Sequence, residues 1–342
     1  MLSKLKKIEF KISVSFIIKA IAFVLFALIC ITAYSYGKES GFGTDIFVSR
    51  SYEYTESGNA KIIETAVEDI TVNWYNGEVV IKYKSSPGVK IYETSNLELK
   101  DEEVFFTTLD STELIIDWNE EGAALSAELG KRLTIELPVS GDIDSITVNG
   151  VNSDIIVEKL ISDYINLNTG KGNITFANVN SEEATVKTSS GKIYGKNSKL
   201  EYIKVRSTDG SVDLLGFSAY TLDMFSGSGD LKFTGDFCEL SAKTYSGNIE
   251  AETSYKPHDI NISSTSGNID LSLPSNISAY GEYKTESGKF ETNFVFKSDE
   301  EGIIEVNAEE HDLYLTTSSG NIKLNKGNKS SENYYFKELL DD

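Results

Sequence analysis

Cysteine, proline and histidine are scarce in this chain, and each shortage removes one explanation for its fold or its function. The 342 residues include two cysteines, four prolines and two histidines. Cys30 lies in an apolar N-terminal run and Cys238 is alone beyond it, so no disulfide can stabilise the soluble part of the chain. Because proline is rare, the turns must rely on Gly, Ser, Asn and Asp. Stability must therefore come from packing and backbone pairing.

The histidines offer no recognisable catalytic or metal-binding motif. His258 follows Pro257 at a predicted turn, and His311 stands among acidic residues. Neither has a nucleophile or a second ligand at a familiar spacing, and the sequence has no His-Glu zinc motif, phosphate-binding loop or serine elbow. We predict no catalytic residue, no metal site and no cofactor, and hence no enzyme.

Positive charge is concentrated at the N-terminus. The first 36 residues contain five lysines and one glutamate and so carry a net charge of +4. Because the whole chain carries −21, the remaining residues carry −25. An acidic region of this kind repels nucleic acid and anionic lipid surfaces. Nucleic acid is therefore excluded as a partner, and the acidity is typical of a solvated surface that keeps a β protein soluble.

Residues 12–36 form an apolar run in which Lys19 is the only charge. Its length suffices for one membrane-spanning helix, and the lysines among residues 1–11 predict a cytoplasmic basic stub. The chain is then a single-pass cell-membrane protein with its bulk extracytoplasmic. A cleaved signal peptide is the alternative, because Ala33 and Ser35 flank Tyr34 at a suitable spacing before Tyr36.

A unit of about nineteen residues repeats through the second half of the chain, marked by a glycine two residues before an apolar position. Successive glycines are 19, 19, 19, 18, 20, 21 and 32 residues apart. A repeat of this length is typical of stacked architectures. The marker glycines, which we predict to be structural turn residues with a positive φ, are Gly172, Gly191, Gly210, Gly229, Gly247, Gly267, Gly288 and Gly320.

Three further columns accompany the glycine. Positions seven and five before it are mostly apolar, and the position three before it always carries a hydroxyl, as in Ala184, Val186 and Thr188 before Gly191. Because these columns are two residues apart, they lie on one face of a strand. A second short strand follows the glycine, so each unit holds two strands.

The identity of these columns favours parallel stacking over an antiparallel meander, because each residue then packs on its equivalent one rung away. We predict an all-β fold: a single-stranded parallel β-helix, or β-solenoid-like stack, of ~19-residue two-strand repeats preceded by one N-terminal transmembrane helix. With Ser153 in place of a glycine, nine consecutive units are present.

The repeats suggest an organisation in five parts. These are a stub (1–11), an anchor (12–36), an irregular β region continuous with the solenoid (37–145), the solenoid repeats (146–325) and a C-terminal tail (326–342). An isolated tenth copy surrounds Gly77. The 32-residue last interval, with an acidic segment at residues 297–302, predicts a loop at one edge.

Carboxylates near an arginine are the residues that an extracellular polysaccharide-degrading β-helix would use. Arg206 lies near Asp209 and Asp230 if the rungs stack, which leaves such an enzyme as an alternative. The position after each glycine is polar but of mixed charge, so a ladder of calcium sites is not expected.

A family resemblance is visible in three copies of the repeat and in two Leu-Pro pairs. The copies are residues 187–193 (KTSSGKI), 263–271 (SSTSGNIDL) and 316–322 (TTSSGNI), and the pairs follow strands at Pro138 and Pro274. Over about residues 60 to 325 the chain resembles the bacterial putative-adhesin family of β-strand-repeat proteins of unknown function. The resemblance implies a β-solenoid-like fold and a membrane-linked or surface location, and it supplies no catalytic residues.

These observations predict a membrane-anchored extracytoplasmic β-solenoid of adhesin-like type, acting as a binding or structural surface module. Its partner would be a surface glycan or a protein ligand, and the membrane is contacted through the N-terminal helix. The alternatives are the polysaccharide-degrading enzyme and an envelope sensor that works with a membrane partner.

Overall fold

The computed structural model describes residues 52–119, 128–139, 143–298, 300–307 and 311–328. The predicted transmembrane helix at residues 12–36 lies outside them. The described residues form one short 3-10 helix, Asp101–Glu103, and 22 strands: β1 (Glu56–Ile63), β2 (Asp69–Lys84), β3 (Val89–Ser95), β4 (Phe106–Asp110), β5 (Glu113–Asp117), β6 (Lys131–Pro138), β7 (Ser145–Glu158), β8 (Tyr164–Thr169), β9 (Ile174–Ala177), β10 (Asn180–Thr188), β11 (Ile193–Lys196), β12 (Lys199–Ser207), β13 (Val212–Ser226), β14 (Leu231–Thr244), β15 (Ile249–Glu252), β16 (Asp259–Ser264), β17 (Ile269–Leu273), β18 (Ala279–Thr285), β19 (Phe290–Thr292), β20 (Ile303–Val306), β21 (Asp312–Thr317) and β22 (Ile322–Lys326).

The all-β solenoid prediction is confirmed. Equivalent strands of successive units pair in parallel and in register, so that Ile165 lies opposite Ala184, Ala184 opposite Ile203, and Ile203 opposite Leu222. These side chains are buried, as are the apolar positions of the short strands. Each rung therefore closes its core only against its neighbours, as the repeat of identical columns predicts.

The order of the rungs at the C-terminal end differs from their order in the sequence. The β21/β22 rung pairs with β16/β17 on one side and with β18/β19 on the other. The last rung in the sequence is therefore the penultimate rung in space. The 32-residue interval also contains more than a loop, because β20 within it pairs antiparallel with β18.

At the N-terminal end, too, the order of the strands in space differs from their order in the sequence. The copy around Gly77 is isolated in the sequence but not in space, because β2 pairs along its length with β7, so that Gly77 lies opposite Ser153. Its other side is covered by β5 and β6, which come later in the chain. Antiparallel β3 and β4 then pair with β6 and β5. At each end the outer strands are therefore partly covered by antiparallel strands, with β20 on β18 at one end and β3 and β4 on β6 and β5 at the other, which limits edge-to-edge association.

The marker glycines are required by close approach, and the prediction of a positive φ for them is wrong. None of the eight marker glycines has a positive φ. Gly77, which holds the equivalent position in the isolated copy, has a φ of 110°. A Cβ on Gly191 would lie 1.8 Å from the carbonyl oxygen of Gly172, and the same collision recurs from rung to rung. The left-handed residues are instead at the second corner of the rung, six positions after the marker, and include Asn178, Asn197 and Gly216.

The hydroxyl column satisfies backbone groups inside the stack. Thr188 donates its Oγ1 hydrogen to the carbonyl of Gly172 at 3.0 Å and accepts a hydrogen bond from the N–H of Gly191 at 3.0 Å. The same pair of bonds, at 2.8–3.4 Å, is made by Thr169, Ser207, Ser226, Thr244, Ser264, Thr285 and Thr317. Each hydroxyl thus joins two adjacent rungs.

A second polar ladder runs along the position after the glycine. The side-chain oxygen of Asn173 accepts the backbone N–H of Lys192 at 2.9 Å, and Asn248 and Asn268 serve the following rungs in the same way. Any short side chain with an oxygen can act as this acceptor, so the residue types in the column vary. For that reason its role as an acceptor could not be recognised from the sequence.

Thr188→Val provides a test of the hydroxyl ladder. Valine has nearly the same shape but leaves the Gly172 carbonyl and the Gly191 N–H buried without their partner, so we expect the free energy of unfolding to fall by about 1–3 kcal/mol. Thr188→Ser keeps the hydroxyl and is expected to cost less. Urea unfolding followed by circular dichroism measures both; equal losses in the two variants would show that the hydroxyl is unimportant.

Candidate functional site

A groove of about 760 Å³ lies near the N-terminal end of the stack and is hereafter called the end groove. Its floor is formed by the outward side of three adjacent strands, β5, β2 and β7, and β4 borders it. Ligand sites are typically about 300–1,000 Å³. Its lining residues are Asn73, Trp74, Tyr75, Phe106, Thr108, Asp117, Trp118, Asn119, Asn149 and Val151.

Aromatic rings form the apolar part of the end groove. Trp74 and Trp118 meet edge to face with their centroids 4.9 Å apart, and Tyr75 packs against Trp118 at 5.9 Å. Both tryptophans are largely buried, whereas Phe106 is 46% exposed. The groove therefore has a fixed indole base and an accessible phenyl ring on its border.

A buried ammonium group, that of Lys131, contacts the rings of both tryptophans. Lys131 Nζ lies 4.8 Å from the ring centroid of Trp74 and 4.3 Å from that of Trp118. It donates to the carbonyls of Trp118 and Glu103 and forms a fully buried ion pair with Glu93 at 3.0 Å. The Trp74 indole N–H in turn donates to the carbonyl of Lys131 at 3.1 Å.

Burial lowers the pKa of Lys131, because a charged ammonium is disfavoured away from water, while the neighbouring Glu93 opposes that effect. Glu93 is itself fixed by accepting the backbone N–H groups of Asn59 and Phe105, at 3.2 and 2.9 Å. Since Phe105 precedes Phe106, this ion pair connects the indole base to the strand that borders the groove.

Side-chain amides form the polar part of the end groove. Asn149 donates from Nδ2 to Asn73 Oδ1 at 3.1 Å, and Asn73 donates to Asp117 Oδ1 at 2.9 Å. These residues are in register on adjacent strands, so this chain of two amides and one carboxylate crosses the three strands of the floor. Beside them the Nδ2 atom of Asn119 is buried and has no hydrogen-bond acceptor among the described residues.

The electrostatic character of the groove follows from this composition. None of its ten lining residues is cationic, and Asp117 is the only acidic one. Such a surface can stack on flat apolar groups and exchange hydrogen bonds with neutral polar groups. In the described residues no group of three His, Cys, Asp or Glu side chains is placed to hold a metal ion.

The predicted arginine site has different partners from those expected. Arg206 pairs with the carboxylate of Asp223 and donates to the Asp223 carbonyl at 2.9 Å. Asp209 accepts from the hydroxyl of Ser228 at 3.3 Å, and Asp230 accepts the backbone N–H of Asn248 at 2.7 Å. The two aspartates therefore serve the stacking of rungs.

The two histidines, 53 positions apart in the sequence, are neighbours in the fold. The ring centroids of His258 and His311 are 5.3 Å apart, with His258 exposed and His311 half-buried. Asp259 and Asp312 follow them and face each other across β16 and β21. Burial chiefly, together with the charge of Asp312 and of Glu239, raises the pKa of Asp259.

Sequence reasoning placed Trp74 in a repeat but did not identify the end groove. One available signal was composition, because both tryptophans of the whole chain, Trp74 and Trp118, meet there. Asn73 and Asn149 are 76 residues apart and come together only because β2 pairs with β7.

Comparison with known proteins identifies the fold. A family model described as Toastrack DUF4097 matches residues 67–325. A putative lipid binding protein from Parabacteroides distasonis has a similar structure, with a TM-score of 0.50, 13% identity and coverage of 79% of this chain and 96% of that one. Putative adhesins from Bacteroides fragilis (TM-score 0.42, 12% identity, 78% and 96% coverage) and Parabacteroides merdae (0.37, 12%, 81% and 99%) also match. No curated protein matches the chain significantly.

Proposed function

We propose that this chain, which belongs to the Toastrack DUF4097 family, is an adhesin-like surface module that binds its partner in the end groove and is held outside the cell by an anchor at residues 12–36. The family membership agrees with the resemblance to bacterial β-strand-repeat proteins. Binding is the function that the end groove supports best.

One observation carries the binding function. On most of the repeat, the polar positions that recur in every rung are already used to join rungs, as Thr188 and Asn173 illustrate. In the end groove, the buried Nδ2 atom of Asn119 has no acceptor among the described residues, and Phe106 presents an exposed ring. An unsatisfied donor beside an exposed aromatic ring is a feature expected of a site that awaits a ligand.

The anchor is supported by the sequence. Residues 12–36 are mostly apolar and carry no charge apart from Lys19, and four lysines precede them. Among the described residues no helix is long and apolar enough to cross a membrane. The anchor segment itself lies outside those residues, so its orientation requires a direct experiment.

A cysteine introduced at Ser190 tests the orientation. Ser190 lies exposed on a repeat turn. Wild type is the matched control for two reasons. Cys30 belongs to the proposed anchor segment, and Cys238 is buried, which raises the pKa of its thiol to about 11 and keeps it unreactive at neutral pH. We expect a membrane-impermeant maleimide to label Ser190→Cys in intact spheroplasts and to leave wild type nearly unlabelled. Labelling that appears only after lysis would contradict the extracytoplasmic location.

The binding function is tested by attachment of cells that display the full-length chain to a mucin-coated surface. Displaying cells should attach more than cells without the chain, and Phe106→Ala should remove most of that difference. Tyr314→Ala is the matched control, because Tyr314 is a comparably exposed aromatic residue on β21, at the other end of the stack. Equal attachment by wild type and Phe106→Ala would refute the end groove as the binding site.

A further inference from the structure

We infer that the end groove recognises a neutral saccharide, an inference that rests on the proposed function and names the ligand of the same site. Three features of the groove support this choice: the form of its aromatic surface, the arrangement of its amides and the absence of positive charge among its lining residues.

The aromatic surface suits a sugar ring. A pyranose ring has faces lined with C–H groups that carry partial positive charge, and the face of an aromatic ring carries partial negative charge. Phe106 is accessible on the border, and Tyr75 packs on the fixed indole of Trp118. A sugar ring can therefore lie against Tyr75 and the buried indole base, which are already packed against each other before it binds, and this lowers the entropic cost of binding.

The polar surface suits hydroxyl groups. The chain from Asn149 through Asn73 to Asp117 combines two amides, which donate and accept, with a carboxylate, which accepts, and a sugar hydroxyl can act as donor or acceptor. The buried Nδ2 of Asn119 has no acceptor among the described residues, and a sugar hydroxyl or ring oxygen would supply one.

Charge and strand pairing narrow the ligand class. Asp117 and the acidic chain disfavour carboxylated, sulfated and phosphorylated sugars, because none of the ten described lining residues is a cation. An extended peptide usually binds by adding a strand to a free sheet edge. The three floor strands offer no such edge, because β5, β2 and β7 are each paired on both sides. Among the described residues β4 pairs only with β5, so a free edge lies on the border of the groove and not on its floor. A neutral saccharide fits the charge of the groove and lies on the floor without needing an edge.

The two tryptophans make the experiment specific, since all tryptophan emission of the protein comes from the end groove. The full-length chain, in a detergent without a sugar headgroup, is titrated with neutral trisaccharides built from glucose, mannose or N-acetylglucosamine, and with a uronic-acid trisaccharide. We expect a saturable change in tryptophan fluorescence with at least one neutral sugar. The uronic-acid sugar should bind at least tenfold more weakly.

Variants assign the effect to the groove. Phe106→Ala and Asn119→Ala should each weaken the binding at least tenfold, whereas Tyr314→Ala should leave it unchanged, with circular dichroism confirming that all three fold. Binding that persists in Phe106→Ala, or that is equal for neutral and acidic sugars, overturns the inference. No saturable change with any neutral sugar also overturns it, and attachment to mucin that survives enzymatic removal of its glycans would show that the groove binds protein instead. In that last case the proposed binding function stands and only the ligand class fails.

Discussion

Gly210→Ala is expected to prevent the solenoid from folding, or to lower its free energy of unfolding by at least ~3 kcal/mol. A Cβ at this position would lie 1.7 Å from the carbonyl oxygen of Gly191, which is backbone and cannot move without breaking the pairing between two rungs. The strands on both sides of the turn, β12 and β13, are paired with neighbours and so cannot absorb the shift. Urea unfolding monitored by circular dichroism, together with soluble yield, measures the loss.

A second substitution separates close approach from backbone conformation. Gly216 has a positive φ of 66°, and the equivalent corner positions hold Asn178 and Asn197 with φ of 55° and 49°. A Cβ on Gly216 would lie 2.8 Å from Asn197 Oδ1, the end of a side chain that can turn aside, and not against backbone. Gly216→Asn should therefore cost far less than Gly210→Ala, about 1 kcal/mol, because asparagine already occupies this conformation one and two rungs away. If Gly216→Asn destabilised the protein as much as Gly210→Ala, the explanation by rung-to-rung contact would be wrong.

The columns of the repeat were predictable from the sequence because stacking places each residue on its own equivalent. The apolar positions such as Ile203 and Val205, and the hydroxyl at Ser207, have the same neighbours in every rung and hence the same requirement. Parallel pairing in register is the arrangement that produces this repetition. The reason for the glycine was less accessible, because a positive φ and a close approach select the same residue.

The order of the terminal rungs could not be predicted from the same pattern. Thr285 donates to the Gly320 carbonyl at 2.8 Å, just as Thr317 donates to Gly267 at 3.0 Å. Since the ladder is equivalent in every rung, the sequence pattern fits either order equally well. Contacts outside the repeat distinguish the two ends, and one of them is the antiparallel pairing of β20 with β18.

The end groove was still less predictable, because its residues come from segments far apart in the chain. Lys131 and Glu93 are separated by 38 positions, and a single charged residue in a strand normally indicates a solvated face. The burial of both side chains depends on the antiparallel pairing of β3 with β6, which no repeat column indicates.

Lys131→Met is expected to lower the free energy of unfolding by about 3–5 kcal/mol and to alter the tryptophan emission. The substitution leaves Glu93 buried without its cation, and an unpaired buried carboxylate is far more costly than the loss of the attraction alone. It also removes the ammonium that lies 4.3 Å from the Trp118 ring centroid, so the base of the end groove loses a support. Urea unfolding followed by tryptophan fluorescence reports both effects in one experiment.

Two comparisons make this prediction specific to burial. Adding Glu93→Gln to Lys131→Met should recover part of the lost stability, because glutamine is neutral and keeps a side-chain oxygen for the N–H groups of Asn59 and Phe105. Lys232→Met removes a similarly close ion pair, with Glu250 at 2.8 Å, but both partners are exposed, so we expect a change below ~1 kcal/mol. If Lys131→Met cost no more than Lys232→Met, the buried pair would not be what holds the indole base, and the groove would have to owe its shape to strand pairing alone.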